Sequence, residues 1–281
     1  VMNPYHLNSN VVLVKLDGKD LYVDPGTPAT PFGLLPWIET GVQGLRLDKN
    51  GGAWVTMPLP PPSESRIVRK ANFRMQPSGT LDGKVTVTYT GLEAHWRRLE
   101  ERNEDEAHRK QFLENEIEYD IPTGIDVTLT NKPDWNSSDP AMIVEYDVKV
   151  PGWAAVAGQR ALMPVGLFGK REKHTFEHAN RTHPLYFNFP YKSEDDIVID
   201  LPTGWQVSSV PQPHSEDKKV LQYGIAAEEK NGALHLKRDL TVNLLLLDKK
   251  FYSQLRDFFQ AVRTDDEEQI VLGPGKAQAK R

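Results

Sequence analysis

Three histidines near the middle of the chain belong to the residue type that most often binds zinc. His174, His178 and His183 lie in the segment HTFEHANRTH, with Glu177 between them. Two histidines four residues apart share one face of a helix and can bind the same ion. The segment runs into Pro184, however, and its polar composition predicts a loop in which these side chains bond to the backbone. We therefore assign no metal and no cofactor, and keep the three histidines as the ligand candidates.

Two tryptophans beside predicted turns could bind a sugar. Trp135 and Trp153 each flank a turn segment, where an aromatic ring can stand out from a β domain. Exposed rings stack on pyranose sugars, which would make the chain a carbohydrate-binding or cell-wall-binding module. Burial in a hydrophobic core is the commoner fate of such large rings. Binding at Trp135 and Trp153 is therefore kept as an alternative hypothesis.

The composition excludes several kinds of chemistry. The 281 residues contain no cysteine, which excludes disulfides, thiolate metal sites and a cysteine nucleophile. The net charge is −5 and no basic stripe is visible, so nucleic acid is not an expected partner. No apolar run approaches the ~20 residues that a helix needs to span a bilayer.

The N-terminal part of the chain predicts a hairpin followed by irregular structure. Residues 11–16 and 21–23 are β-prone and flank Asp17-Gly18, which is a strong hairpin signal. A stretch rich in Pro and Gly then extends to about Asn50. Residues 58–62, PLPPP, predict an extended linker. We therefore expect one unit at residues 1–62 and a β domain at residues 63–281.

The β domain is predicted from many short strands and one long helical stretch. Residues 84–90, KVTVTYT, alternate cleanly, and Leu92 to Tyr119 has helical spacing with a break near residues 103–105. We expect the helix to pack on the sheet through Trp96 and Leu99. Further strands are predicted at 67–75, 125–130, 141–150, 160–168, 185–190, 195–201, 205–210, 219–228 and 233–247. The fold class is mainly β, an antiparallel β-sandwich with one inserted helical stretch near 92–118.

Residues 10–28, NVVLVKLDGKDLYVDPGTP, resemble the end of the core of bacterial transglutaminase-like, papain-like proteins. The resemblance implies an α+β core with a Cys–His–Asp triad, in which an imidazole activates the thiolate and a carboxylate orients the imidazole. It places Asp24 at the position of the triad acid. The predicted hairpin would then be a remnant of that core, with the cysteine outside this chain.

The position of the triad histidine is substituted. Asn10 occupies it, and an amide cannot act as a general base. His6 is the alternative histidine, because a strand of period two would point it to the same face as Asn10. If Asn10 does hold the position, the resemblance implies a pseudoenzyme.

The remaining chain resembles the accessory β domain, of unknown function, that follows the core in large cell-envelope proteins of this family. Segments such as GTLDGKVTVTYTGLEAHWRRLEERN and LPTGWQVSSVP carry that resemblance. It implies a non-catalytic interaction module that packs on the core, with a periplasmic or secreted location and the N-terminal half of the same precursor as partner. Besides the carbohydrate-binding alternative, a third hypothesis is an active Cys–His–Asp acyl-transfer or protease enzyme completed by a separate N-terminal chain.

Overall fold

The computed structural model describes residues 7–49, 51–121, 124–138, 141–173 and 175–274. It is mainly β, as predicted. The strands, in chain order, are β1 (Val12–Leu16), β2 (Lys19–Val23), β3 (Gln43–Asp48), β4 (Gly51–Thr56), β5 (Arg66–Met75), β6 (Leu81–Tyr89), β7 (Asp126–Leu129), β8 (Met142–Val150), β9 (Ala155–Ala157), β10 (Arg160–Pro164), β11 (Leu185–Tyr186), β12 (Tyr191–Asp200), β13 (Trp205–Ser209), β14 (His214–Asp217), β15 (Leu221–Lys230), β16 (Ala233–Val242), β17 (Leu246–Leu247) and β18 (Gln269–Pro274). The α-helices are α1 (Gly91–Glu100), α2 (Glu106–Asp120), α3 (Lys170–Lys173) and α4 (Tyr252–Asp266).

Two separate hairpins occupy the N-terminal part of the described chain. β1 pairs with β2 across Asp17 and Gly18, which both have positive φ, so the turn signal in the sequence is confirmed. β3 pairs with β4 in a second hairpin. The sequence predicted irregular structure there, and that prediction is wrong. Gly44, Gly51 and Gly52 weakened the local strand signal in a segment whose structure is held by pairing.

An eight-stranded sheet dominates the rest of the molecule. Its order is β14-β15-β16-β12-β5-β6-β8-β7, and every pair is antiparallel except β12 and β5. The parallel register runs from Lys192 opposite Arg66 to Asp200 opposite Arg74. The sheet therefore consists of two antiparallel groups joined along one parallel pair: one group is β5, β6, β7 and β8, and the other is β12, β14, β15 and β16.

One face of this sheet forms the core. Alternate residues of β5 (Ala71, Phe73, Met75) point inward, as the period of two requires. They share one buried cluster with α4 and with the four-stranded sheet β13-β18-β10-β9. The members from α4 and the smaller sheet include Leu255, Phe258, Phe259, Val262, Ala161, Met163, Ile270 and Leu272. The large sheet thus packs against a layer made of the small sheet and α4.

The predicted helical stretch is two helices. The break at residues 101–105 is confirmed, and α2 begins after Asp105, whose side chain accepts a hydrogen bond from the His108 amide at 2.8 Å. The expectation that α1 packs through Trp96 and Leu99 is wrong, because both are only half-buried. The fully buried positions of α1 include Glu93 and Arg97. Charged residues can occupy that face because they pair with charges on neighbouring elements.

Several predicted strands are shorter than expected. The strand predicted at 160–168 ends at Pro164, and the strand predicted at 185–190 covers only Leu185 and Tyr186. Proline removes a ladder donor, so Pro164 and Pro190 limit both strands. The strand predicted at 233–247 ends at Val242, and Leu246 and Leu247 form a separate pairing with β11. Among the described residues, no helix is long and apolar enough to cross a membrane.

Candidate functional site

Two of the residues assigned to the catalytic positions lie at one end of the β1–β2 hairpin. Val12 pairs with Val23, so Asn10, two residues before Val12, and Asp24, one residue after Val23, share that end. Asn10 is exposed and Asp24 is half-buried. The alternative histidine, His6, lies outside the described residues. The hairpin therefore brings the proposed acid and the substituted position to the same region of the molecule.

Asp24 is held by its own loop. Its Oδ1 accepts a hydrogen bond from the Gly26 amide at 2.7 Å, which is the Asx-turn geometry that an Asp-Pro-Gly sequence favours. The charge of Asp24 also acts on two buried groups, Glu39 and His95. No pattern in the sequence singles out either residue. They approach Asp24 only through the tertiary fold, and no local spacing signals that approach.

Glu39 is a buried carboxyl beside this loop. It is 4% exposed, and its Oε2 has no hydrogen-bond partner among the described residues. Burial raises the pKa of Glu39, a hydrogen bond with the Ser9 side chain opposes the shift, and the charge of Asp24 adds to it. Glu39 and Asn10 both line a cleft of about 660 Å³ between the two N-terminal hairpins. The cleft thus contains a carboxyl that is more readily protonated than usual.

His95 of α1 is a buried imidazole that is less readily protonated than usual. It is 1% exposed, and its Nδ1 donates to the Ala29 carbonyl at 3.0 Å, which leaves the lone pair on Nε2. Burial lowers the pKa of His95; the Ala29 hydrogen bond and the charge of Asp24 oppose this, and Arg98 adds to it. An acid and a base therefore lie near Asp24, but the chain contains no thiol for them to activate. The direct effect of His95 is to fasten the loop at Ala29 to the β domain.

The two tryptophans do not form an exposed platform. Trp153 is 5% exposed and belongs to the hydrophobic core. Trp135 is half-buried against the same core, and the guanidinium of Arg109 lies 5.3 Å from its ring centre. The exposed-platform hypothesis is contradicted because core packing takes the apolar faces that a sugar would need.

The histidines of the predicted loop are exposed where the structure describes them. His178 and His183 are exposed, and His174 lies outside the described residues. The carbonyl of His178 accepts a hydrogen bond from the Tyr252 hydroxyl at 2.7 Å. Among the described residues, no group of three or more histidine, aspartate or glutamate side chains has the geometry of a metal site.

A buried ionic network is the largest polar feature that the sequence analysis missed. Nine ion pairs among the described residues connect four guanidiniums with six carboxyls, from α1 through the large sheet to α4. The guanidiniums are those of Arg69, Arg97, Arg171 and Arg238; the carboxyls are those of Glu93, Glu116, Asp120, Glu172, Asp195 and Asp266. If all ten groups were ionised, the network would carry two more negative than positive charges.

Two carboxyls of this network retain protons more strongly than usual. Burial raises the pKa of Asp195, although Arg69 and Arg238 lower it, and Asp195 Oδ2 has no hydrogen-bond partner in the described part of the chain. Burial likewise raises the pKa of Glu172, and Arg238 opposes the shift.

The fold and these sites define a mainly β protein of the sandwich type that contains a buried ionic network and no cysteine. Residues 159–272 match the family model DUF3858, a domain of unknown function with a solved structure, over less than half of the chain. No curated protein matches. The solved structures that match include a "putative protease" from Parabacteroides distasonis ATCC 8503, with 10% sequence identity and a TM-score of 0.42. That match covers 94% of this chain and 35% of the other, so this chain spans about a third of that protein's length.

Proposed function

We propose that this chain is a non-catalytic interaction module of a transglutaminase-like protein, which packs on the core of that protein through its N-terminal hairpins. The observation that carries the proposal is the isolation of those hairpins. Within the described residues, β1 pairs only with β2, and β3 only with β4. Their outer edges thus retain unpaired N–H and C=O groups, which another strand can satisfy.

An apolar face on the first hairpin supports the same proposal. Val12, Val14 and Leu16 point to one side of β1 and are 45%, 41% and 51% exposed. In the antiparallel register, Val23 and Leu21 lie opposite Val12 and Val14 on that side. A row of apolar side chains on a two-stranded sheet is unfavourable in water and is typical of a surface that another layer covers. Apolar side chains of this kind normally lie on the inner face of a sheet, where a second layer of the core covers them.

The partner that we propose for this apolar face is a transglutaminase-like core. The N-terminal half of the same precursor would supply it, as a continuous or a separate chain. The resemblance of residues 10–28 supports this choice, and the absence of cysteine supports a non-catalytic role for the module. An envelope location, periplasmic or secreted, belongs to the same proposal.

The test mixes this chain with the proposed partner, a transglutaminase-like core polypeptide of the same precursor. We expect a one-to-one complex by native mass spectrometry, with the amides of β1 and β2 becoming protected from hydrogen exchange. Val14→Lys should weaken the complex at least about tenfold, because a charge would be buried in the interface. The control is Val220→Lys, a similarly exposed valine outside the hairpins (39% exposed).

Three results would contradict the proposal. The core and this chain could fail to associate, or both lysine variants could weaken the complex equally. The isolated chain could also turn over amine donors or peptides in an assay in which Asp24→Ala removes the activity, which would require a nucleophile other than cysteine. We expect no such turnover, because no acyl-enzyme can form on a cysteine that the chain lacks.

A further inference from the structure

A cavity lies at the C-terminal end of helix α4, between that helix, helix α3 and the segment that follows β10. Its volume is about 370 Å³. Its walls include Trp153 and Pro164, together with four charged residues, Lys173, Arg263, Asp266 and Glu267. A concave site with apolar walls and a few polar groups is the usual form of a small-ligand site. Which ligand fits depends on which of these polar groups still lack a partner.

The carboxylates of the wall are already bound. Asp266 Oδ1 accepts hydrogen bonds from the Tyr223 hydroxyl at 2.8 Å and from Arg238 Nε at 2.7 Å, and Oδ2 accepts one from Arg238 Nη2 at 3.0 Å. Tyr223 and Arg238 do not line the cavity, so the charge of Asp266 is neutralised from outside it. Glu267 pairs with Lys173 at 2.7 Å, and their side chains are 57% and 43% exposed. Both carboxylates therefore already have the cation that a ligand could offer them.

The backbone acceptors at this end of α4 are also occupied. The Arg263 carbonyl accepts a hydrogen bond from the Glu267 amide at 3.1 Å, and the Asp266 carbonyl accepts one from the Gly166 amide at 2.9 Å. The Glu267 carbonyl accepts a hydrogen bond from Gln269 Nε2 at 2.7 Å. The end of a helix normally leaves open carbonyls that favour a cation, but these three are satisfied within the fold.

The polar groups of the wall that remain open are donors. Trp153 is 5% exposed, and its Nε1 has no hydrogen-bond partner among the described residues. Arg263 donates from Nη1 to the Thr175 carbonyl at 2.9 Å, and it has no carboxylate partner in the part of the chain that the structure describes. A guanidinium carries further N–H donors, which can hold a carboxylate through parallel hydrogen bonds. The described wall therefore presents an unmatched positive charge and an unmatched buried donor.

We propose that this cavity binds a small organic carboxylate, whose charge pairs with Arg263. One of its oxygens accepts the indole hydrogen of Trp153, and its apolar part lies against Pro164 and the edge of the Trp153 ring. An anion is favoured because it satisfies both open donors, whereas a cation would have to compete with Arg238 or Lys173 for a carboxylate that is already paired. The described lining includes no residue of the N-terminal hairpins, so this inference is independent of the interaction proposed above.

The experiment is a titration of the full chain with 3-phenylpropionate, followed through the indole resonances of isotope-labelled tryptophan in the NMR spectrum. Trp153→Phe identifies the Trp153 resonance among those of the six tryptophans, because that signal is missing from its spectrum. We expect the Trp153 indole hydrogen to shift downfield and to saturate, since it becomes hydrogen-bonded to a carboxylate oxygen. The ligand controls are 3-phenylpropanol and 3-phenylpropylammonium, which should bind at least about tenfold more weakly because they lack the negative charge.

Variants, whose affinities are measured by calorimetry, assign the binding to this cavity. Arg263→Gln should weaken the binding of 3-phenylpropionate about tenfold, since the charge-assisted contact is lost. Trp153→Phe keeps an aromatic ring in the wall but removes the N–H, and it should weaken binding about threefold. The matched control is Arg256→Gln, which removes the same charge from the same helix. Arg256 does not line the cavity and lies 3.9 Å from Asp257, so this variant should change the affinity no more than about twofold.

The proposal fails if the wild-type protein binds 3-phenylpropionate no more tightly than it binds 3-phenylpropanol. It also fails if the protein saturates with 3-phenylpropionate and the Trp153 resonance does not move, because the ligand would then lie elsewhere. Wild-type affinity in both Arg263→Gln and Trp153→Phe, each folded by circular dichroism, would be equally decisive against it. Since the first two measurements use the unaltered protein, the site remains testable even if Arg263→Gln fails to fold.

Discussion

Arg97 shows how a single charged residue can be buried in this protein. Its guanidinium lies 3.6 Å from the centre of the Tyr89 ring, donates twice to Glu116 and also bonds Glu93. Each donor that faces the interior thus has an acceptor or an aromatic face, which offsets the cost of removing the charge from water. The network nevertheless contains more carboxyls than arginines, and burial raises the pKa of two of these carboxyls. The stability of the protein should therefore depend on pH.

The Glu172 carboxyl should make the protein less stable as the pH rises. Because burial raises its pKa above the ordinary value of 4.5, the folded protein keeps a proton that the unfolded chain has already released. The free energy of unfolding should therefore fall as the pH rises above 4.5. Glu172→Gln, which cannot ionise, should reduce this slope, as measured by urea denaturation at several pH values.

The control for this measurement is Glu118→Gln, which removes an exposed carboxyl from α2. It should leave the slope unchanged. A Glu172→Gln protein whose stability depends on pH as steeply as that of the wild type would show that Glu172 titrates normally. Asp195, whose pKa is also raised by burial, should account for part of the slope that remains.

At the scale of elements, the ionic network joins the helices in addition to the apolar contact between the rings of Trp96 and Phe112. α1 and α2 are joined through the bidentate pair of Arg97 and Glu116, and α2 is joined to α3 through Asp120 and Arg171. Removing one partner of such a pair leaves the other as a buried, uncompensated charge. The stability of the contacts among these helices should therefore depend strongly on each single member of the network.

Arg97→Met should destabilise the protein by ~3–5 kcal/mol, because Glu93 and Glu116 lose their buried partner. Lys110→Met is the matched control on α2: Lys110 is half-exposed and pairs with Glu114 at 3.7 Å, an i,i+4 pair worth at most ~0.5 kcal/mol. The measurement is the free energy of unfolding in urea. If the two variants cost the same, the network contributes no more than surface ion pairs do.

At the scale of the whole molecule, the folded β domain extends beyond the segment that matches the family model. Residues 159–272 match DUF3858, but β12 within that segment pairs with β5 outside it from Lys192 opposite Arg66 to Asp200 opposite Arg74. A protein cut at residue 159 would lose β5 to β8, half of the strands of the large sheet, and would expose the edge of β12.

A fragment of residues 159–274 should therefore fail to fold by itself. We expect no cooperative thermal transition and few dispersed amide signals in its NMR spectrum. A fragment of residues 63–274, which retains all eight strands of the large sheet, should unfold in one transition. A cooperative transition in the shorter fragment would show that the parallel pair is dispensable.

Local patterns in the sequence predicted much of this fold. The Asp17-Gly18 turn has positive φ at both residues and closes the hairpin that its type predicts. The parallel pairing of β5 with β12 left no such pattern, since it joins strands that are distant in the chain. His95 and Glu39 were missed for the same reason. Arg97 was missed because a helix rich in Glu and Arg predicts a solvated face, and only tertiary pairing makes it a buried one.

Because β5 pairs with a strand that is distant in the chain, its edge stays unpaired for some time during synthesis. β5 ends at Met75 and β12 begins at Tyr191, so β5 to β8 leave the ribosome well before the strand that completes their edge. At ~5–20 residues per second, the wait is roughly 6–23 s. During that time β5 presents an open edge that another nascent chain could join, and Arg66, Arg69, Lys70 and Arg74 along it repel an identical copy. The positive charges of β5 would thus oppose pairing between nascent chains before they form ion pairs in the completed sheet.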